Sequence, residues 1–97
     1  MSVIVVLEAD ILVGKKQSLL ALLRKLLPET KRYKGFVRIS IHIEHDKDHI
    51  LFYQEWASIA DYESYLQWRV DTGVMRTLAE NLRAPPHIRY FDSETLE

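Results

Sequence analysis

The chain has 97 residues, 47% of them apolar and 28% charged, with a formal net charge of -1; this is the composition of one globular domain over residues 1–97, with room for a single core. So even a balance names no polyanionic partner, and no nucleic acid is expected. With no cysteine in the chain, a disulfide framework, a thiolate nucleophile and Cys-ligated zinc or iron–sulfur sites are all excluded. Met1 to Leu7 lacks a basic lead-in, its apolar run is broken at Glu8 and Asp10, and no later run approaches the ~20 residues of a membrane span. Neither export nor membrane insertion is signalled, and the cytoplasm is the expected location.

Val3 to Leu7 is β-branched and closely followed by Gly14, which predicts a first strand over roughly residues 2–10. From Lys15 the pattern changes to Leu19, Leu20, Leu22, Leu23, Leu26 and Leu27, which recur at helical spacing beside Lys16, Gln17, Arg24 and Lys25. Pro28 ends or kinks this amphipathic helix before Gly35. Val37, Ile39, Ile41 and Ile43 then alternate with Arg38, Ser40, His42 and Glu44, and a second strand-like run leads to Trp56. The polar segment from His45 to His49 joins the two as a hairpin. If Ile43 pairs near Ile50, then Ile41 faces Phe52, Ile39 faces Gln54 and Val37 faces Trp56 on one side, with Arg38 beside Glu55 on the other.

Ser58 and Asp61 have the spacing of a capping box, and Ile59, Tyr62, Tyr65, Leu66 and Arg69 then share one side of a helix over roughly 59–69. Asp71-Thr72-Gly73 interrupts it. Val74, Leu78 and Leu82 mark a third helix that Ala84-Pro85-Pro86 stops, Ile88 to Phe91 forms a last short strand, and the acidic tail from Asp92 frays. The order β-α-β-β-α-α-β, without repeats or linkers, predicts an α+β, ferredoxin-like plait: a four-stranded antiparallel sheet with helices on one face. Its other face carries Arg38, Ser40, His42, Leu51, Tyr53 and Glu55, and a second copy packed sheet to sheet would cover it.

Several short segments carry a likeness in their order and spacing. They are Gly14-Lys15, Leu22-Leu23-Arg24, Leu27-Pro28-Glu29-Thr30, Lys34-Gly35-Phe36-Val37-Arg38, Ile41-His42, Tyr53-Gln54-Glu55-Trp56-Ala57-Ser58 and Pro85-Pro86. Together they resemble the antibiotic biosynthesis monooxygenase family over nearly the whole chain. The resemblance implies a homodimeric α+β barrel. It also implies one of several activities: cofactor-free oxygenation of phenols, quinols or anthrones, haem degradation, isomerisation of a sugar derivative, or none. Two departures matter. Tyr65-Leu66, followed by Gln67 to Gly73, replaces a familiar histidine pair, and Ile39 and Gln54 stand where many members have facing Tyr and Glu.

Each candidate residue has a plain reading beside the functional one. Trp56 closes the third strand on the apolar face, as core or as a stacking surface for a planar ligand. Trp68 and Arg69 mark a pocket mouth with a cationic anchor, or an ordinary surface helix end. Tyr62 and Tyr65 need partners for their hydroxyls if buried. His42, His45 and His49 with Asp46 and Asp48 suggest a metal site, but three of the five sit in the hairpin loop and a strand puts His42 and His45 on opposite faces; no metal is expected. Eight of the thirteen basic residues lie between Lys15 and Arg38, which reads as a solvated helix face.

The leading expectation is an enzyme that oxygenates a small phenol-like aromatic molecule without flavin or metal. Trp56, Phe52 and Ile39 would clamp the ring, with Tyr62 and Trp68 beside it. Tyr65 and Gln54 would hydrogen-bond its oxygens, and Arg69 would favour the phenolate. A non-catalytic small-ligand-binding or dimerisation domain is the alternative. Haem degradation would need an axial histidine, and Val74 to Arg83 holds none.

Overall fold

A computed structural model describes residues 2–96. Its elements follow the expected order: β1 (Val3–Asp10), α1 (Lys16–Thr30), β2 (Phe36–Ile43), β3 (His49–Trp56), α2 (Ile59–Asp71), α3 (Val74–Ala79) and β4 (His87–Phe91). The strands form one sheet in the order β2-β3-β1-β4, every neighbouring pair antiparallel. This is the ferredoxin-like α+β arrangement. The first strand, apolar at nearly every position, lies second from the edge because it is buried from both sides.

The β2–β3 register follows the alternation from Ile43↔Ile50 to Arg38↔Glu55 and then departs from it, because Phe36 rather than Val37 pairs with Trp56. Val37 occupies a β-bulge and is 49% exposed. An extra residue in one strand shifts the pleat by one, so the larger Phe36 ring takes the inward place and packs edge-on to Trp56 at 5.5 Å.

Pro28 does not stop α1. The helix runs on to Thr30, and the Lys31 N–H still reaches the Leu27 carbonyl at 2.9 Å, since a proline in the last turn removes few helical bonds. Ser58 caps α2 as expected, its Oγ accepting from the Asp61 N–H at 3.0 Å. That helix ends two residues later than predicted, at Asp71, where Gly73 takes φ 81° and lets the chain turn into α3. The third helix is shorter than predicted, ending at Ala79; Leu82 stays buried by bridging to Ile11 instead. Gly35 has φ 88°, and a Cβ there would lie 2.5 Å from the Asp61 side chain, which accounts for glycine between α1 and β2.

The layer between sheet and helices divides into two apolar groups. One gathers Leu7, Ala9, Ile11, Leu19, Leu23, Ile50, Phe52, Leu78 and Leu82, with Ile39 and Ile41 at its margin. The other centres on Val3, Val5, Trp56 and Tyr62, flanked by Tyr33, Phe36, Tyr65 and Leu66. Ile59, expected on the inward side of α2, is exposed.

Candidate functional site

Seven of the ten Tyr, Trp and Phe side chains meet at the Trp56 end of the sheet. Trp56 is 0% exposed, and its indole N–H donates to Gln54 Oε1 at 3.0 Å. An indole only donates, so it takes the carbonyl end of the buried amide and leaves the Gln54 NH2 as the end able to donate elsewhere. Tyr62 adjoins the same amide, and burial pushes its phenol well above the ordinary value, so this hydroxyl stays protonated.

Arg69 is neither at a pocket mouth nor on a surface helix end. Because α2 continues to Asp71, position 69 faces inward against α1 and is 2% exposed. Its Nε donates to the Tyr65 hydroxyl at 3.0 Å; one terminal nitrogen donates to the Leu26 carbonyl at 2.9 Å and Thr30 Oγ1 at 3.0 Å, and the other meets Glu29 at 3.2 Å. Thr30 lends its own hydrogen to the Leu26 carbonyl, so Tyr65 is the donor across the 2.7 Å gap to Thr30. The guanidinium also lies 4.4 Å from the Trp68 ring centre. Trp68 is half-buried and stacked on Tyr33.

Gln54, Trp56, Tyr62, Tyr65, Trp68 and Arg69 are thus brought together, whereas Phe52 and Ile39 share the sheet face but pack in the neighbouring apolar group. Between sheet and helices the side chains fill the space: the gap lined by Leu7, Leu19, Ile50, Phe52 and Leu78 does not admit a water molecule. The opening onto this face lies at its edge. Leu20, Leu23, Arg24 and Leu27 of α1 and Ile41 of β2 line an apolar groove of about 180 Å³. None of these was singled out from sequence, although the leucine periodicity of α1 exceeds what one buried stripe needs.

The larger cleft, about 410 Å³, lies elsewhere and is lined by Glu8, Asp10, His49, Pro85, His87 and Arg89. His49 sits between two carboxylates, Nδ1 at 2.8 Å from Asp10 and Nε2 at 3.0 Å from Glu8, and Arg89 pairs with Glu8 from β4. The hydrogen bond to Glu8, then that to Asp10, raises the His49 pKa; the same bonds lower those of Glu8 and Asp10. The charges here satisfy one another, so the apolar groove is the better ligand site despite its smaller volume. The histidines of the hairpin region do not assemble with one another: His42 turns to Ser40 and His45 to Asp46. Among the described residues no three His, Asp or Glu side chains are placed to hold a metal ion.

The helix-free face of the sheet carries Arg38, Ser40, His42, Leu51, Tyr53 and Glu55, as the alternation predicts, and also Ile4, Val6, Glu8, Arg89 and Phe91. Arg38 and Glu55 pair across it at 3.0 Å. Among the described residues no helix is long and apolar enough to cross a membrane.

A four-stranded antiparallel sheet with helices on one face, a buried aromatic cluster and an apolar groove beside it define a small α+β protein of the ferredoxin-like class. The chain belongs to the antibiotic biosynthesis monooxygenase family, whose sequence profile matches residues 2–69, a span that holds every candidate residue named above. Among solved structures it is similar to a conserved protein of Methanosarcina mazei Go1 (TM-score 0.86, 17% identity, covering 97% of this chain and 94% of that one). It is also similar to a cofactor-independent oxygenase of Streptomyces nogalater (0.81, 16%, 98% and 95%). A third is a monooxygenase of Streptomyces coelicolor, solved in complex with nanaomycin D (0.79, 17%, 99% and 90%). Identities this low show a shared fold. No curated protein sequence matches the chain.

Proposed function

We propose that this protein is a monooxygenase of a small phenol- or quinol-like aromatic molecule that enters by the groove between α1 and the β2 edge. The observation that carries this reading is the groove itself. It is apolar, has one cation, Arg24, at its rim, and opens on the sheet face that also presents Phe52, Gln54 and Trp56. At about 180 Å³ it is smaller than the ~300–1,000 Å³ of drug-sized sites, which favours a compact ligand of one or two fused rings.

The reaction asks for no flavin or metal, because the substrate supplies the electrons. Loss of the hydroxyl proton makes the ring electron-rich enough to meet dioxygen; one oxygen atom enters at a ring carbon as a carbonyl, and the other leaves as water with the one hydrogen that carbon carried and the proton lost from the hydroxyl. The protein binds, orients and dries the ring. Ile39 and Phe52 form the floor, with the buried Trp56, Tyr62 and Trp68 behind it, and the Gln54 NH2 donates to a substrate oxygen. Arg69 acts through Tyr65, whose hydroxyl it polarises, to favour the phenolate. A second copy covers the open sheet face.

One observation favours a non-catalytic binding domain instead: among the described residues no buried polar side chain lacks a partner, so no base stands ready. Oxygen uptake with a panel of phenols and quinols separates the two. The expected result is uptake in the wild type, lost in Leu20→Trp, which plugs the groove, with the circular dichroism spectrum unchanged. Arg69→Met is expected to weaken binding of an ionising phenol more than of its methyl ether. Binding without uptake supports the non-catalytic reading, and no binding at saturating ligand overturns the site.

A further inference from the structure

The aromatic cluster does more than fill volume, because its rings form a connected path with two ends that differ in charge. Trp56 lies 5.6 Å, centre to centre, from Tyr62, and Tyr62 lies 6.0 Å from Tyr90 on β4. In the other direction Trp56 lies 4.9 Å from Tyr65, and Tyr65 lies 5.3 Å from Tyr33 and 6.1 Å from Trp68. Tryptophan and tyrosine are the aromatic side chains that give up one electron most readily, and rings this close exchange electrons far faster than a buried radical can meet solvent.

Charge decides between the branches. Arg69 holds its guanidinium 5.3 Å from the Tyr65 ring centre and 4.4 Å from that of Trp68, and a fixed cation opposes an electron vacancy on either. Thr30, which takes the Tyr65 hydrogen bond, is no base. The Tyr90 branch carries no cation among its named contacts, and it ends at a ring 38% exposed, where burial and then the nearby Glu63 carboxylate raise the phenol's pKa. A phenol that loses an electron also releases its proton, and Glu63 is there to take it. Tyr62, between the two, keeps its proton because it is buried, so it serves as a bridge rather than a stopping point.

We infer that Trp56, Tyr62 and Tyr90 form a one-electron relay that carries oxidising equivalents from the buried indole to the surface. An oxygen-centred radical more oxidising than a phenoxyl first takes one electron from Trp56 and is itself reduced, leaving the indole radical cation. An electron from Tyr90 then crosses by way of Tyr62 and restores Trp56, while the phenolic proton of Tyr90 passes to Glu63. The cation and the carboxylate become a neutral phenoxyl radical and a neutral acid, so charge balances. At the surface a thiol returns the hydrogen atom. Without this exit, an oxidised Trp56 would end as a modified indole in the core. The relay stands whatever the substrate, since it needs only an oxygen-centred radical of that strength.

Trp68→Phe leaves Trp56 as the one indole, and laser photoionisation of that variant followed by transient absorption reads the relay directly. The expected result is one first-order phase, independent of protein concentration, in which the indole radical disappears as a tyrosyl radical appears. That phase is lost in the added variant Tyr90→Phe and slowed in Glu63→Gln, whereas Tyr65→Phe leaves it unchanged; mass spectrometry after oxidation places the dityrosine cross-link at Tyr90. Equal rates with and without Tyr90, loss of the phase in Tyr65→Phe, or decay only by encounter between molecules overturns the relay. Tyr90 and Glu63 are both exposed, so their variants do not depend on repacking the core.

Discussion

His49 shows how one side chain ties three strands through charge. It lies in β3, both of its carboxylate partners lie in β1, and Arg89 of β4 holds Glu8 from the far side. The pKa of His49 is raised above 6.5, so its contribution to stability is complete below pH 6.5 and is lost as pH rises through the raised value. Glu8 and Asp10 are lowered from 4.5 and 3.8, so theirs is present above those values and lost as pH falls through the lowered ones. Stability is therefore expected to peak between the two windows. In urea denaturation across pH, His49→Gln should remove the decline on the alkaline side and shrink the acid limb with it, since the bonds to His49 are the main cause lowering Glu8 and Asp10; parallel curves for variant and wild type on the alkaline side would contradict the clamp. The cluster was hidden in sequence because Glu8 and His49 meet only once β1 is known to neighbour β3. Arg69 was misplaced for a related reason: helical spacing put it with Tyr62 and Tyr65, but α1 supplies the Leu26, Glu29 and Thr30 partners that make burial tolerable.

Elements follow from local chemistry wherever that chemistry is complete. The Ser58 cap, the leucine stripe of α1 and the polar hairpin between Ile43 and Ile50 each carry their own signal, and each is where it was expected. The bulge at Val37 had none, since valine suits the inward position that Phe36 takes. Gly35, just before it, joins α1, α2 and β2: its carbonyl accepts from the Ala57 N–H at 2.7 Å and its missing side chain admits Asp61. Gly35→Ala is expected to cost about 1–3 kcal/mol, from positive φ and from the clash together. Asp61→Gly should recover only part of that loss, because removing the Cβ and the carboxylate together relieves the clash and not the dihedral. A double-mutant cycle by thermal denaturation measures the split, and full recovery would show that φ carries no penalty there.

Across the whole molecule, the helix-free face is where sequence and structure agree in detail while the partner is still a proposal. Ile4 and Val6 are buried there even in one protomer, beneath flanking side chains that include Tyr53, itself 40% exposed. Light scattering at micromolar concentration is expected to report a dimer for the wild type and a monomer for Tyr53→Glu, which would bury two like charges near the centre of a face-to-face pair. The same variant should keep its far-UV spectrum. A wild type that stays monomeric would leave the face to some other use.

The sheet order also bears on how the chain is made. β1 is synthesised first, yet one of its neighbours is β4, and pairing Ile4 with Phe91 closes almost the full length of the chain. Until β4 leaves the ribosome, the most apolar strand presents a bare edge to every other nascent chain nearby. Contacts so distant in sequence form slowly, so the hazard lies in the interval between translation and closure. A chaperone that shields extended apolar segments would matter most during that interval, and little once β4 is in place.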